Sequence, residues 1–212
     1  MSSAANRPRP PDPDQEQARD RIGEALLDLC FAHGYRSLSL QMLLDRAEID
    51  EAVFGRHFDD LDDCFCTIYE ELRDELMEGA AAAVAAERSW RDGLRAALYA
   101  IVDFVEEDQK RTHLIIVEAR SAGDRAVDLI HEGYERMFDY LDRGREERPG
   151  SGTISRATAE AIGGSIFFQM YSSYTNGSIA SVREKVPKMM YTAVLPYLGR
   201  EAAEEELSRP PA

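Results

Sequence analysis

Arginine and histidine at the end of a short helix are groups that meet phosphate oxygens and base edges, and this chain places such a pair in one distinctive stretch. From Gly34 to Phe58 it runs GYRSLSLQMLLDRAEIDEAVFGRHF. That reads as a helix stop, a short helix behind a serine cap, a tight turn, and a second short helix ending in Arg-His-Phe. The order and lengths are those of a helix-turn-helix, whose second helix enters the DNA major groove. The charge points the other way. Between Gly34 and Cys66, eight acids (Asp45, Glu48, Asp50, Glu51, Asp59, Asp60, Asp62 and Asp63) stand against three arginines (Arg36, Arg46 and Arg56). A nucleic-acid reader normally gains much of its affinity by neutralising phosphates with Lys and Arg.

Other chemistries find no support. The chain has no glycine-rich phosphate loop, metal-ligand cluster or nucleophile motif. Its four histidines (His33, His57, His113 and His131) include no pair at i, i+4. Glu70-Glu71 and Glu106-Glu107-Asp108 read as solvated helix faces. The expectation is therefore no enzyme, no cofactor and no metal. With a formal net charge of −15 and a pI near 4.7, a broad basic surface for wrapping nucleic acid or lying on an anionic membrane is excluded. The three cysteines (Cys30, Cys64 and Cys66) make an odd set without disulfide spacing, which fits buried thiols in a reducing cytosol. No transmembrane or signal segment is readable, so the expected location is cytoplasmic.

The elements that must position the Gly34–Phe58 stretch are helical throughout; no run alternates like a strand. Residues 1–13, with Pro8, Pro10, Pro11, Pro13, Arg7 and Arg9, predict a disordered arm, which a basic pair also allows to enter a minor groove. Ile22, Ala25, Leu26, Leu29 and Cys30 form the stripe of a first helix that Gly34 ends. Ser39 caps a helix facing inward through Leu40, Leu43, Leu44 and Ala47, and Asp50 caps the next, with Phe54 and Phe58 inside. A long helix follows on Leu61, Phe65, Ile68, Leu72 and Leu76. Further helices are expected from Trp90 to about 107, 109 to about 120, 124 to about 147, 155 to about 175 and 178 to about 198. The breakers are Gly123, Pro149-Gly150-Ser151-Gly152 and Asn176-Gly177, and one of Pro187 and Pro196 is a candidate kink. The expected fold is all-α with about nine helices: an arm (1–13), a three-helix helix-turn-helix domain (14–60), a helical body (61–199) and a flexible acidic tail (200–212).

Residues 18–66 resemble the N-terminal domain of the tetracycline-repressor (TetR) family of transcriptional regulators. The resemblance is carried by Phe31-Ala32-His33-Gly34-Tyr35, then Ser39, Ala47, Val53-Phe54, Arg56-His57-Phe58 and Phe65. The closing Leu195-Pro196-Tyr197-Leu198-Gly199 is similar to a common family ending. The resemblance implies that Ala52, Val53, Arg56 and His57 lie on or near the recognition helix, with Ser39 and Gln41 against phosphates at the start of the preceding helix. A helix N-terminus, with free N–H groups and partial positive charge, suits that second role. His57 has the alternative of packing beside Phe58, and Tyr35 reads as core or turn packing. Glu48, Asp50, Glu51, Gly55 and Leu61 depart from the family pattern of a glycine, a serine cap, a basic or small residue, an aromatic and a lysine.

The resemblance further implies an apolar effector pocket in the body, with Tyr99, Ile116, Met137, Phe138, Phe167, Met170 and Tyr171 as lining and His113, Glu118, Gln169 and Tyr174 as polar groups. Ordinary core packing is the alternative for each. Ala157–Tyr174 is apolar almost all round, and a helix of that kind must be covered on all sides. With the next helix it resembles the family's homodimer interface, giving Ile166, Tyr174, Val186, Met189, Ala193 and Tyr197 as interface candidates; completion of the monomer core is the alternative. The expected function is a homodimeric regulator that binds a double-stranded DNA operator and is released as a repressor by a small apolar effector. A rival expectation is a dimer of the same type whose acidic helix-turn-helix works through a protein partner.

Overall fold

The computed structural model describes residues 13–147, 154–176 and 180–209, and these form ten α-helices and three single 3-10 turns with no strand among the described residues. The expected arm lies, except for Pro13, outside the described residues, as do the Pro149–Gly152 breaker, Gly177 and Ser178. Helix α1 (Pro13–His33) ends where Gly34 takes φ 75°, a conformation that costs glycine nothing. After a 3-10 turn (Tyr35–Ser37), α2 (Leu40–Ala47) begins at Ser39, whose hydroxyl accepts from the Met42 N–H at 3.3 Å. The turn that follows α2 forces Glu48 into the left-handed region (φ 54°). That strains an L side chain, and explains why glycine suits this place better.

Asp50 caps α3 (Glu51–Phe54) by accepting from the Val53 N–H at 2.8 Å. The helix is one turn long; Gly55 then follows, and turn-type bonds from Arg56, His57 and Phe58 back to Val53 and Phe54 carry the coil onward. Asp60 likewise caps α4 (Leu61–Ala85). The body continues with α5 (Trp90–Glu107), α6 (Gln109–Ile116), α7 (Gly123–Asp142), α8 (Arg156–Thr175), α9 (Ala180–Leu198) and α10 (Arg200–Ser208). Helix α9 runs through both Pro187 and Pro196.

Two hydrophobic cores organise these helices. The first holds Ile22, Leu26, Leu43, Phe54 and Phe58 of the head, and is continuous with Phe65 and Ile68 of α4, Leu114 of α6 and Leu129 of α7. The head is thus seated in the body rather than hung from it, and the first core crosses the boundary expected at residue 60. The second core gathers Trp90, Leu98, Val102, Leu141, Ile162, Val186, Met189 and Tyr197. At its centre Gly144 passes so near Trp90 and Tyr197 that a Cβ there would lie 2.7 Å from each ring. Gly144→Ala is expected to lower stability by about 1–3 kcal/mol through overpacking, read as a fall in the urea midpoint at unchanged m-value.

The flexible tail expected after Gly199 is corrected over residues 200–208. Helix α10 packs on α9, and its Glu206 is fully buried between Arg91 and Arg95 of α5. Arg91 adds bonds to Glu205 (2.9 Å) and to the Ala202 carbonyl (2.8 Å). A tertiary charge pairing therefore holds a segment whose own sequence looks solvated.

Candidate nucleic-acid interface

Helix α3 is anchored from below and open above. Phe54 and Phe58 are buried with ring centroids 5.6 Å apart, while Ala52 and Arg56 are exposed and Val53 half-buried. Ser39 and Gln41, at the start of α2, are exposed too, with the Gln41 amide donating to Asp45 at 2.7 Å. None of these residues belongs to the core. His57 has a divided position: its ring packs 6.2 Å from Phe58, and its Nε2 is buried without a partner among the described residues. Tyr35 is buried against Phe65, as its packing role predicts, and its hydroxyl also donates to Asp62.

The acids of this stretch are largely committed to the fold. Asp50 and Asp60 are caps, Asp62 holds Tyr35, Asp63 pairs with Arg125 of α7 at 2.6 Å, and Asp45 takes the Gln41 amide. Acids at helix N-termini also meet the favourable end of the helix dipole. Glu48, Glu51 and Asp59 remain as exposed carboxylates without an ion-pair partner among the described residues. Of the cations, Arg46 is tied to Asp28, whereas Arg36 and Arg56 are exposed with no ion pair among the described residues. Arg125 lies far along the chain, and nothing in the sequence marked it as the neutralising partner of Asp63.

Two of the ion pairs make the seat of the head sensitive to acid. The Arg125 guanidinium holds the Asp63 carboxyl below its ordinary value of 3.8, and Lys110 of α6, with Arg46, does the same for Asp28. Both carboxyls titrate lower in the folded chain than in the unfolded one. Their contribution is therefore complete above about 3.8 and fades as pH falls through that value toward the folded one. Arg125→Ala should remove the larger part of the Asp63 share, leaving the bond from the Asp59 N–H, and move the acid-unfolding midpoint, followed by far-UV circular dichroism, to higher pH.

In the body, the expected effector residues divide between two surroundings. Tyr99 is buried in the second core with its hydroxyl unpartnered among the described residues, and Met137, Phe138 and Met170 pack half-buried against that core. Phe167 lies 5.7 Å from Tyr134 and 6.1 Å from Tyr171, with the Arg120 guanidinium 5.7 Å over its ring. Ile116 is buried at the end of α6. Gln169 keeps a buried Oε1 without a partner; among the described residues of the body, Arg95 Nε and the hydroxyls of Tyr99 and Tyr197 share that condition. Two open grooves, one of about 580 Å³ along Asp128–Arg136 of α7 and one of about 320 Å³ between α1 and α4, are lined by none of these residues.

Five of the interface candidates need correction. Ile166, Val186, Met189, Ala193 and Tyr197 are buried inside a single chain and have no surface to offer a second copy, whereas Tyr174 is half-buried, with its hydroxyl between His113 and Gln109. The exposed face of α8 is a different one. It carries Ala157, Ala161, Gly164, Phe168, Tyr171 and Thr175, spaced alternately four and three apart. Phe168 is 67% exposed and Tyr171 39%. That spacing is the seam by which one helix packs along another. Gly164 has open space where a side chain would stand, which leaves the seam low at its middle.

No protein-family model matches the chain. The HTH-type transcriptional activator FasR of Mycolicibacterium smegmatis is 26% identical over 101 residues, 48% of this chain and 46% of that protein, so the match spans about half of that relative's length. The fatty acid degradation regulator FadR from Bacillus halodurans superposes with a TM-score of 0.76 at 12% identity, covering 91% of this chain and 100% of that one. A TetR family transcription regulator from Marinobacter aquaeolei gives 0.68 at 13% identity, covering 88% and 98%. The transcriptional regulator FadR from Bacillus subtilis, in complex with stearoyl-CoA, gives 0.67 at 15%, covering 85% and 98%. With its helix-turn-helix head seated on a helical body, the chain has the fold of the TetR-family transcriptional regulators.

Proposed function

We propose that the chain is a homodimeric, operator-binding transcriptional regulator of the TetR family, released from DNA by an apolar effector with a fatty-acyl chain. One observation carries the DNA-binding part: Arg56 stands exposed on the recognition segment with no ion pair among the described residues, while five of the eight surrounding acids are engaged in caps, hydrogen bonds or an ion pair. A second copy is favoured by the seam on α8, since a two-helix reading head needs a symmetric partner for two half-sites roughly 34–36 Å apart. The effector class is supported by the apolar side chains around Tyr99 and Phe167, and by two of the similar structures, one a fatty acid degradation regulator and one holding stearoyl-CoA.

The test is selection of bound fragments from the source genome by the purified protein. The expected result is enrichment of an inverted repeat with half-sites one helical turn or a multiple apart. A folded dimer that enriches nothing over the input would sink the proposal and favour the acidic head as a protein-binding element, to which exposed Glu48, Glu51 and Asp59 are suited. On a recovered operator, Glu51→Lys is expected to tighten binding by about threefold to tenfold, because a repulsive charge near phosphate becomes attractive. Unchanged affinity would place Glu51 away from the backbone.

A further inference from the structure

We propose that Glu118 is a positioning residue for the reading head, and that the Tyr174 hydroxyl on α8 controls it through the tautomer of His113. The consequence for DNA rests on the function proposed above, but the device itself can be tested without DNA.

Glu118 sits in the 3-10 turn after α6 and is 8% exposed. Its Oε2 accepts the backbone N–H of Tyr35 at 2.9 Å, in the turn that leads from α1 into α2. A carboxylate from the body thereby fixes the direction in which the helix-turn-helix departs. Its Oε1 lies 3.3 Å from His113 Nε2, and the other ring nitrogen, Nδ1, lies 3.2 Å from the Tyr174 hydroxyl. The imidazole also stands edge-on to Phe31 at the end of α1, with centroids 5.4 Å apart. The chain of contacts runs unbroken from the turn at Tyr35 to helix α8.

The control lies in one proton. The Tyr174 hydroxyl has two acceptors in reach, the Gln109 carbonyl at 3.1 Å and His113 Nδ1 at 3.2 Å, and it can donate to only one. When it donates to Nδ1, a neutral ring carries its hydrogen on Nε2 and donates to Glu118, which is then held on both oxygens. When it donates to Gln109, the ring hydrogen moves to Nδ1 to donate back to Tyr174. A bare Nε2 lone pair then faces the carboxylate and repels it, loosening its hold on Tyr35. These are two discrete arrangements of one network, the kind of element that two sites can bias. Tyr174 shares α8 with Phe167 and Met170 on the effector side, and with Tyr171 and Thr175 on the exposed seam. A ligand or a second copy that moves this helix therefore acts on the choice.

Amide hydrogen exchange and ring ¹⁵N shifts, measured on the full chain at about pH 8, above the ordinary imidazole range, test this. Tyr174→Phe keeps the ring and removes the proton, leaving only the arrangement with hydrogen on Nε2. The expected result is Tyr35 amide protection raised about twofold or more, with the His113 ring shifts moving to a single Nε2–H tautomer. His113→Phe should move Tyr35 protection in the opposite direction. An ordinary structural hydroxyl would loosen its surroundings on removal. Lower or unchanged Tyr35 protection in Tyr174→Phe, or unchanged ring shifts, would overturn the proposal. Because neither readout involves DNA, failure of operator binding is recorded separately.

Discussion

Glu206→Ala is expected to lower stability by about 3–5 kcal/mol, the usual consequence of removing one member of a buried charge group. The carboxylate is fully buried and is the partner of two guanidiniums, those of Arg91 and Arg95, each itself mostly covered. Burial already works against the charge on Arg95, whose pKa is lowered chiefly by desolvation. Without Glu206, Arg91 keeps only the peripheral Glu205 and the Ala202 carbonyl, and Arg95 keeps no bonded acid among the described residues. Thermal unfolding followed by circular dichroism should show the midpoint falling by about 10 °C or more. Glu206→Gln keeps the shape and an acceptor oxygen, and should fall between alanine and the unaltered chain. An alanine variant that melts within a degree or two of the parent would mean that α10 is not held by this carboxylate.

Arg56→Ala is expected to weaken sequence-specific DNA binding strongly while leaving the fold intact. The side chain is exposed and makes no ion pair among the described residues, so its loss should change the melting midpoint little. On DNA, a well-placed arginine contributes about 1–3 kcal/mol of discrimination at its base. In the proposed dimer two-fold symmetry doubles the loss, so operator binding should weaken roughly 30-fold to about 20,000-fold. Affinity for scrambled DNA should fall much less. An equal loss on both DNAs would assign Arg56 to a phosphate rather than to a base edge.

The reading head was legible because its boundaries are local events. Gly34, Ser39 and Asp50 each stop or cap a helix through atoms within a few residues, and the sequence states them directly. The exposure of Ala52 and Arg56 followed from Phe54 and Phe58 taking the inner face. Where the determinants are tertiary, the sequence was silent. Helix α8 is apolar nearly all round, so its pattern does not distinguish the buried face at Ile166 from the exposed one at Phe168; packing of α7 and α9 makes that choice. The acidic run of α10 looks solvated until Arg91 and Arg95, more than a hundred residues earlier, are placed beside Glu206. The charge conflict in the head was real as composition. It softened once Asp63 met Arg125, a pairing across helices that no local spacing announces.

On the proposed function, the helix-turn-helix reads DNA despite its acids. The most direct measurement is fluorescence anisotropy of the purified protein with DNA from upstream of its own gene and with fragments recovered by genomic selection, each against a scrambled control, across a salt series. Tight binding to at least one natural sequence at physiological salt, with a shallow salt slope reflecting few phosphate contacts, is the predicted result. Binding to every natural fragment no better than to scrambled DNA, by protein shown to be folded and dimeric, would contradict it.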